Sequence, residues 1–136
     1  MEVVGEWKGG FETRLDDSRG HPVTIDLPGD EGGKDAGTSA LELGMLSLAG
    51  CINTIFLLIA QRRHLELSRL TIRLTGERPE GAPTIQRVRG RLEVGTHASA
   101  EDVETVLRLT LKTCPMGVIF ARAQIPVEVT ADVSPT

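Results

Sequence analysis

Polar and apolar positions change period several times along this chain. In residues 22–27, Val23, Ile25 and Leu27 alternate with Thr24 and Asp26, the pattern of a half-buried strand. Residues 3–15 read as an earlier strand, set apart by the turn cluster Asp16-Asp17-Ser18-Arg19-Gly20. Residues 28–37, rich in Gly and Asp, predict a loop. A long helix then begins. Ser39-Ala40-Leu41-Glu42 fits a capping box, with Ser39 as N-cap and Glu42 at the third helical position. Arg62, Arg63 and His64 close it, where cations suit the negative end of the helix dipole. Two more strands follow. In residues 67–74, Leu70, Ile72 and Leu74 alternate with Arg69, Thr71 and Arg73. In residues 85–94, Val88, Leu92 and Val94 oppose Arg87, Arg89 and Arg91, after a Pro/Gly loop over 77–83. Ser99-Ala100-Glu101-Asp102 caps a second helix over 99–114, whose apolar face carries Val103, Leu107, Thr110, Leu111 and Cys114. Pro115 stops or kinks it, residues 116–121 add a turn, and 125–133 alternate as a last strand. Pro126 places that strand at an edge or marks its start. The order β-β-α-β-β-α-β predicts a single α+β domain over residues 1–136, with two helices on antiparallel sheet.

Composition narrows the class. A chain of 136 residues, 40% hydrophobic, is globular and suits one domain. With three Phe, one Trp and no Tyr, its core is aliphatic, and it lacks the rings on which single-stranded nucleic acids stack. A net charge of −4 also argues against a nucleic-acid partner. Glu2, Glu6 and Glu12 stand where an export signal needs a basic start and an apolar run. The expected compartment is therefore the reducing cytoplasm, where two cysteines are thiols rather than a structural disulfide.

Residues 43–60 carry no formal charge over 18 positions, the lower edge of a membrane span. They include Gly44, Ser47, Gly50, Cys51, Asn53 and Thr54, so the better expectation is a helix buried in a protein core, with no membrane partner. One small sheet and one other helix are a thin cover for it. A homodimer with the long helices at its centre would complete the burial.

The candidate chemistry lies in Cys51, mid-helix beside Ala49 and Gly50, and Cys114, directly before Pro115. Two thiols of this kind serve equally as small core hydrophobes. A reactive thiolate needs a nearby cation, for which Arg14 is the first candidate and Arg19, Arg62 and Arg122 remain open. Gly32-Gly33-Lys34-Asp35 lacks phosphate-loop spacing and has Asp35 where a Ser or Thr is required. His21, His64 and His97 lie in separate segments without metal-ligand spacing, so no metal is expected. Arg69, Arg73, Arg87, Arg89 and Arg91 form either a solvated sheet face or a basic stripe for an acidic partner.

Gly37-Thr38-Ser39-Ala40-Leu41-Glu42-Leu43, leading to Leu48-Ala49-Gly50-Cys51, resembles the signature of the OsmC/Ohr family (osmotically inducible protein C-like and organic hydroperoxide resistance proteins). Lys112-Thr113-Cys114-Pro115 is similar to its second motif, and the element order matches over nearly the whole chain. The resemblance implies antiparallel sheets packed around two central helices in an intertwined homodimer with interfacial sites. It also implies reduction of organic hydroperoxides without a cofactor. Cys51 is then oxidised to a sulfenic acid, Cys114 resolves it as a disulfide, and an external dithiol restores both thiols. The family's peroxidases place a Glu ten residues before the first Cys to hold an activating Arg; here that position is Leu41. Glu42 lies nine residues before Cys51, about 900° around an ideal helix, and so points away from it. Arg14 and Glu42 are the candidate activating or substrate-binding residues. An apolar pocket near Cys51, lined by Ile52 and Ile55, is expected to receive an alkyl hydroperoxide. The alternative is a non-catalytic dimer of the same fold that binds a small apolar ligand.

Overall fold

Strand expected over residues 3–15 is in fact a hairpin. In the computed structural model, which describes residues 1–136, β1 (Val4–Gly9) turns back at Gly9 and Gly10, both at positive φ, into β2 (Glu12–Asp16). The alternation of 3–15 hid this turn, because only the Gly-Gly pair marks it. β3 (Val23–Ile25) pairs antiparallel with β2, giving a sheet in the order β1-β2-β3. Arg14 is exposed on β2, opposite Glu6 on β1 and Thr24 on β3.

The loop that follows is ordered by a buried carboxylate. Asp26 is 4% exposed, and it accepts the backbone N–H groups of Leu27, Lys34 and Ala36 at 2.8, 3.0 and 3.1 Å. These bonds hold its carboxyl below the usual range. A 3₁₀ turn, Gly29–Glu31, lies within the loop. Gly33 and Gly37 have no room for a side chain, since a Cβ would run into the carbonyls of Leu27 and Thr24.

Helix α1 (Ala40–Arg62) starts as its capping box predicts. The Glu42 carboxylate accepts from the Ser39 N–H and hydroxyl, both at 2.8 Å, and the Glu42 N–H donates to Ser39 Oγ at 3.3 Å. Leu48, Ile52, Phe56 and Ala60 are buried, one stripe at i, i+4, i+8 and i+12. The expectation of burial on all sides is not met within one chain: Leu46, Leu57 and Leu58 are 57%, 42% and 44% exposed. By length and composition alone α1 could cross a membrane.

β4 (Arg69–Glu77) and β5 (Arg87–Gly95) pair antiparallel. α2 (Ala100–Thr113) and α3 (Pro115–Arg122) lead to β6 (Val127–Ser134), which joins the other side of β5. β6 runs parallel to β5, so this sheet is mixed rather than wholly antiparallel. Pro126 precedes β6 at the sheet edge, where its missing N–H costs nothing and its carbonyl accepts from the Val88 N–H at 2.8 Å. Phe56 and Ala60 pack with Leu92, Val94, Val103, Val106 and Leu107 into a core that is aliphatic apart from the Phe56 ring. The fold is α+β as expected, with two sheets and three helices. Its contacts gather into two compact units, Met1–Leu46 and Ser47–Thr136.

Three arginines of the stripe are paired with carboxylates. Arg73 meets Glu93 at 3.6 Å, Arg89 meets Glu77 at 3.2 Å and Glu128 at 3.8 Å, and Arg91 meets Asp132. Arg69 donates to Ser134 at 3.2 Å. The solvated-face reading therefore describes Arg73, Arg89 and Arg91, which carboxylates of β4, β5 and β6 answer.

Candidate active site

The second unit holds both cysteines. Cys51 sits on α1 between Gly50 and Ile52, at the border of the buried stripe, and is partly exposed. Cys114 is fully buried at the joint between α2 and α3. Proline explains that joint. A residue before proline is pushed out of the helical region, and Cys114 takes φ −57°, ψ 119°. Its N–H still closes α2 onto the Thr110 carbonyl at 2.8 Å. Its sulfur caps α3, accepting the Gly117 N–H at 3.4 Å, while Pro115 fills the first helical position, where no N–H is needed. Thr110, also buried, turns its hydroxyl to the Val106 carbonyl at 2.8 Å.

This geometry brings the sulfurs together. Both thiols are free, and Cys114 Sγ donates to Cys51 Sγ at 2.8 Å. A disulfide bond is roughly 2.05 Å long, so small side-chain movements would join them. Burial pushes the Cys114 thiol up to about 11, and its hydrogen bond to Cys51 acts in the same direction. The fold thus favours the protonated form of Cys114.

Beside the pair lies a cavity of about 340 Å³. Its walls are Leu48 and Ile52 of α1, Leu111 of α2, and Cys114, Gly117 and Ala121, followed by residues 124–127. Ile52 lines it as expected, but Ile55 and Cys51 do not. The α3–β6 connection was missed from the sequence, where Gln124, at φ 60°, carries no motif.

Arg14 and Glu42 belong to the first unit. Glu42 is occupied as a cap, and the Ser39 and Thr38 hydrogen bonds hold its carboxyl below the ordinary value. His21 pairs with Asp17 at 2.8 Å, and His97 with Thr136 at 2.7 Å. No group of three or more His, Cys, Asp or Glu side chains is placed to hold a metal.

Residues 32–130 match the family described as OsmC-like protein, and the chain belongs to that family. Solved structures share its fold. An OsmC-like protein from Mycoplasma pneumoniae is 16% identical, with a TM-score of 0.84 over 97% of this chain and 95% of that one. An organic hydroperoxide resistance protein OsmC from Legionella pneumophila is 13% identical, with a TM-score of 0.72 over 97% of both chains. One from Elizabethkingia anophelis is 14% identical, with a TM-score of 0.74 over 98% and 97%. No curated protein matches the sequence.

Proposed function

We propose that this chain is a thiol-dependent peroxidase for organic hydroperoxides, acting in the cytoplasm as a homodimer without a cofactor. One observation carries the reading: two free cysteines from different elements stand sulfur to sulfur at 2.8 Å, one partly exposed and the other buried. The Cys51 thiolate attacks the outer peroxide oxygen. The O–O bond breaks, and the alkoxide leaves and is protonated to the alcohol. Cys51 is now a sulfenic acid. Cys114 attacks it, the S–S bond forms, and the sulfenic oxygen departs as water. An external dithiol returns the pair to thiols. Names of neighbours such as the Legionella protein agree with this chemistry.

The dimer is supported by α1. Leu46, Leu57 and Leu58 are exposed on it, and the buried Asn53 Oδ1 has no hydrogen-bond partner, an arrangement that a second copy would relieve. Arg14 remains the proposed activating cation. In Arg14→Ala, alkylation of Cys51 by iodoacetamide at neutral pH is expected to slow; an unchanged rate removes Arg14 from the site.

Single turnover tests the activity. Reduced protein mixed with one equivalent of an alkyl hydroperoxide is expected to lose both thiols, with a mass drop of two hydrogens, and Cys51→Ser is expected to keep its one remaining thiol, Cys114. Intact thiols under excess peroxide would instead favour the non-catalytic dimer with a small apolar ligand. Leu41 at the family's Glu position is the observation behind that second reading.

A further inference from the structure

Attack on a Cys51 sulfenic acid sets Cys114 a problem. The attacking form is the thiolate, yet Cys114 is fully buried, and burial is the largest cause that makes its thiol less acidic. Thiols that turn acidic inside proteins have a cation beside them or lie at a helix N-terminus. No charged side chain lines the cavity next to Cys114. The groups that act on its sulfur are Cys51, which makes it less acidic, and the N–H groups of Met116 and Gly117, which make it more so.

The backbone supplies what the side chains do not. Pro115 occupies the first position of α3 and has no N–H, so the first donors of the helix are Met116 and Gly117. The Val118 N–H is already bonded to the Cys114 carbonyl at 2.9 Å. Cys114 Sγ stands where an N-cap oxygen usually stands, and the Gly117 N–H donates to it at 3.4 Å. Ser, Thr, Asp and Asn are the preferred caps, so capping alone does not call for a cysteine here. On its other side the same sulfur meets Cys51 Sγ at 2.8 Å. Donor and reaction partner thus flank one atom.

We propose that the Gly117 N–H is a catalytic donor that holds Cys114 Sγ toward Cys51 and stabilises the negative charge gathering on this sulfur as it attacks the Cys51 sulfenic acid. The Cys51–oxygen bond breaks as the sulfur–sulfur bond forms. The departing hydroxide takes up the Cys114 proton and leaves as water. Cys114 is oxidised and the sulfenic sulfur reduced, so the step balances without a further reagent. Charge sits on Cys114 Sγ only while the proton is going and the new bond is incomplete, and a donor already fixed on the atom needs no reorganisation at that moment.

The sulfenic acid belongs to the peroxidase reading, on which the proposal rests, whereas the test uses a different oxidant. Diamide adds to Cys51, the partly exposed thiol, and Cys114 then displaces the hydrazide to close the disulfide. A chain inert toward peroxides can still be tested in this way. Cys114 is also a ligation point: residues 114–136 can be made as a synthetic peptide and joined to residues 1–113, with one backbone N–H replaced by an ester oxygen. An ester at position 117 removes the donor on the sulfur. An ester at position 118 removes the Val118 N–H, which binds the Cys114 carbonyl instead. A hydrogen bond to a charged group is worth about tenfold in an equilibrium. Its loss leaves about tenfold less thiolate, partly offset by a roughly threefold gain in nucleophilicity. The 117 ester is therefore expected to close about threefold more slowly at pH 8 than the all-amide chain, read by quenched intact mass as a longer-lived Cys51–diamide adduct. The 118 ester is expected to close at the all-amide rate. Gly117→Pro, made as an ordinary chain, removes the same N–H within the first helical turn, where proline is tolerated, and is expected to repeat the slowing. Equal rates for the 117 ester and the all-amide chain, equal slowing by both esters, or a wild type whose adduct never closes overturns the proposal.

Discussion

Cys114 shows how one residue type acquires a role from its surroundings. Its sulfur is sealed from solvent, donates to Cys51 and accepts from the first turn of α3. Because its folded pKa lies above the unfolded value, the neutral thiol is the form the fold prefers. The stability this gives is whole below about pH 8.5, the unfolded thiol's pKa, and is lost as pH rises toward about 11. Urea unfolding at pH 8 and pH 10.5 checks the sign: the wild type is expected to lose more stability over that interval than Cys114→Ser. Equal losses would mean that the fold does not raise the Cys114 pKa above its unfolded value. Both cysteines were legible from the sequence as candidates, because a Cys-Pro pair ending a helix and a Cys between small residues are local patterns. Their 2.8 Å meeting was not legible, since it depends on how two helices far apart in sequence pack. Glu42 shows the converse: its position argued for a cap, and the hydrogen bonds from Ser39 use it as one.

At the level of elements, the two long helices followed their caps and periods closely, whereas the connections did not. The loop before α1 looked like a Gly/Asp-rich spacer. It is instead tied to Asp26, whose burial no local pattern announced. The lowered folded pKa of that carboxylate means that its contribution is present above the unfolded carboxyl's pKa, near 3.9, and is lost as pH falls through the folded value. Amide exchange at Lys34 and Ala36 is expected to be slow at pH 7 in the wild type and markedly faster in Asp26→Asn, where an N–H₂ group faces donors. Equal protection in the two proteins would show that the loop holds without the carboxylate. The hairpin at Gly9-Gly10 and the parallel pairing of β6 escaped the sequence reading for a shared reason. Alternation reports which face a residue takes, but not where a strand folds back or in which direction its neighbour runs.

Across the whole molecule, the apolar surface of α1 is the feature that one chain leaves unfinished. Leu46→Glu combined with Leu57→Glu is expected to yield particles of 14.7 kDa by light scattering, where the wild type is expected at twice that mass. A wild type already at 14.7 kDa would remove the dimer from the reading. The sheet face with Arg73, Arg89 and Arg91 is spoken for by its own carboxylates, which agrees with the acidic net charge.

The parallel run of β6 beside β5 also sets an order of events in folding. Antiparallel neighbours such as β4 and β5 can zip from a short connection, but a parallel neighbour must return through a long crossover. Here the crossover is α2 and α3, and Cys114 is its corner. Closing so wide a loop carries an entropic toll that only long-range contacts repay. The partner sulfur thus reaches Cys51 when the crossover docks, late rather than early. A chain still emerging, or one trimmed before its final strand, would carry the two thiols as strangers, so the dithiol doubles as a chemical timestamp of finished assembly.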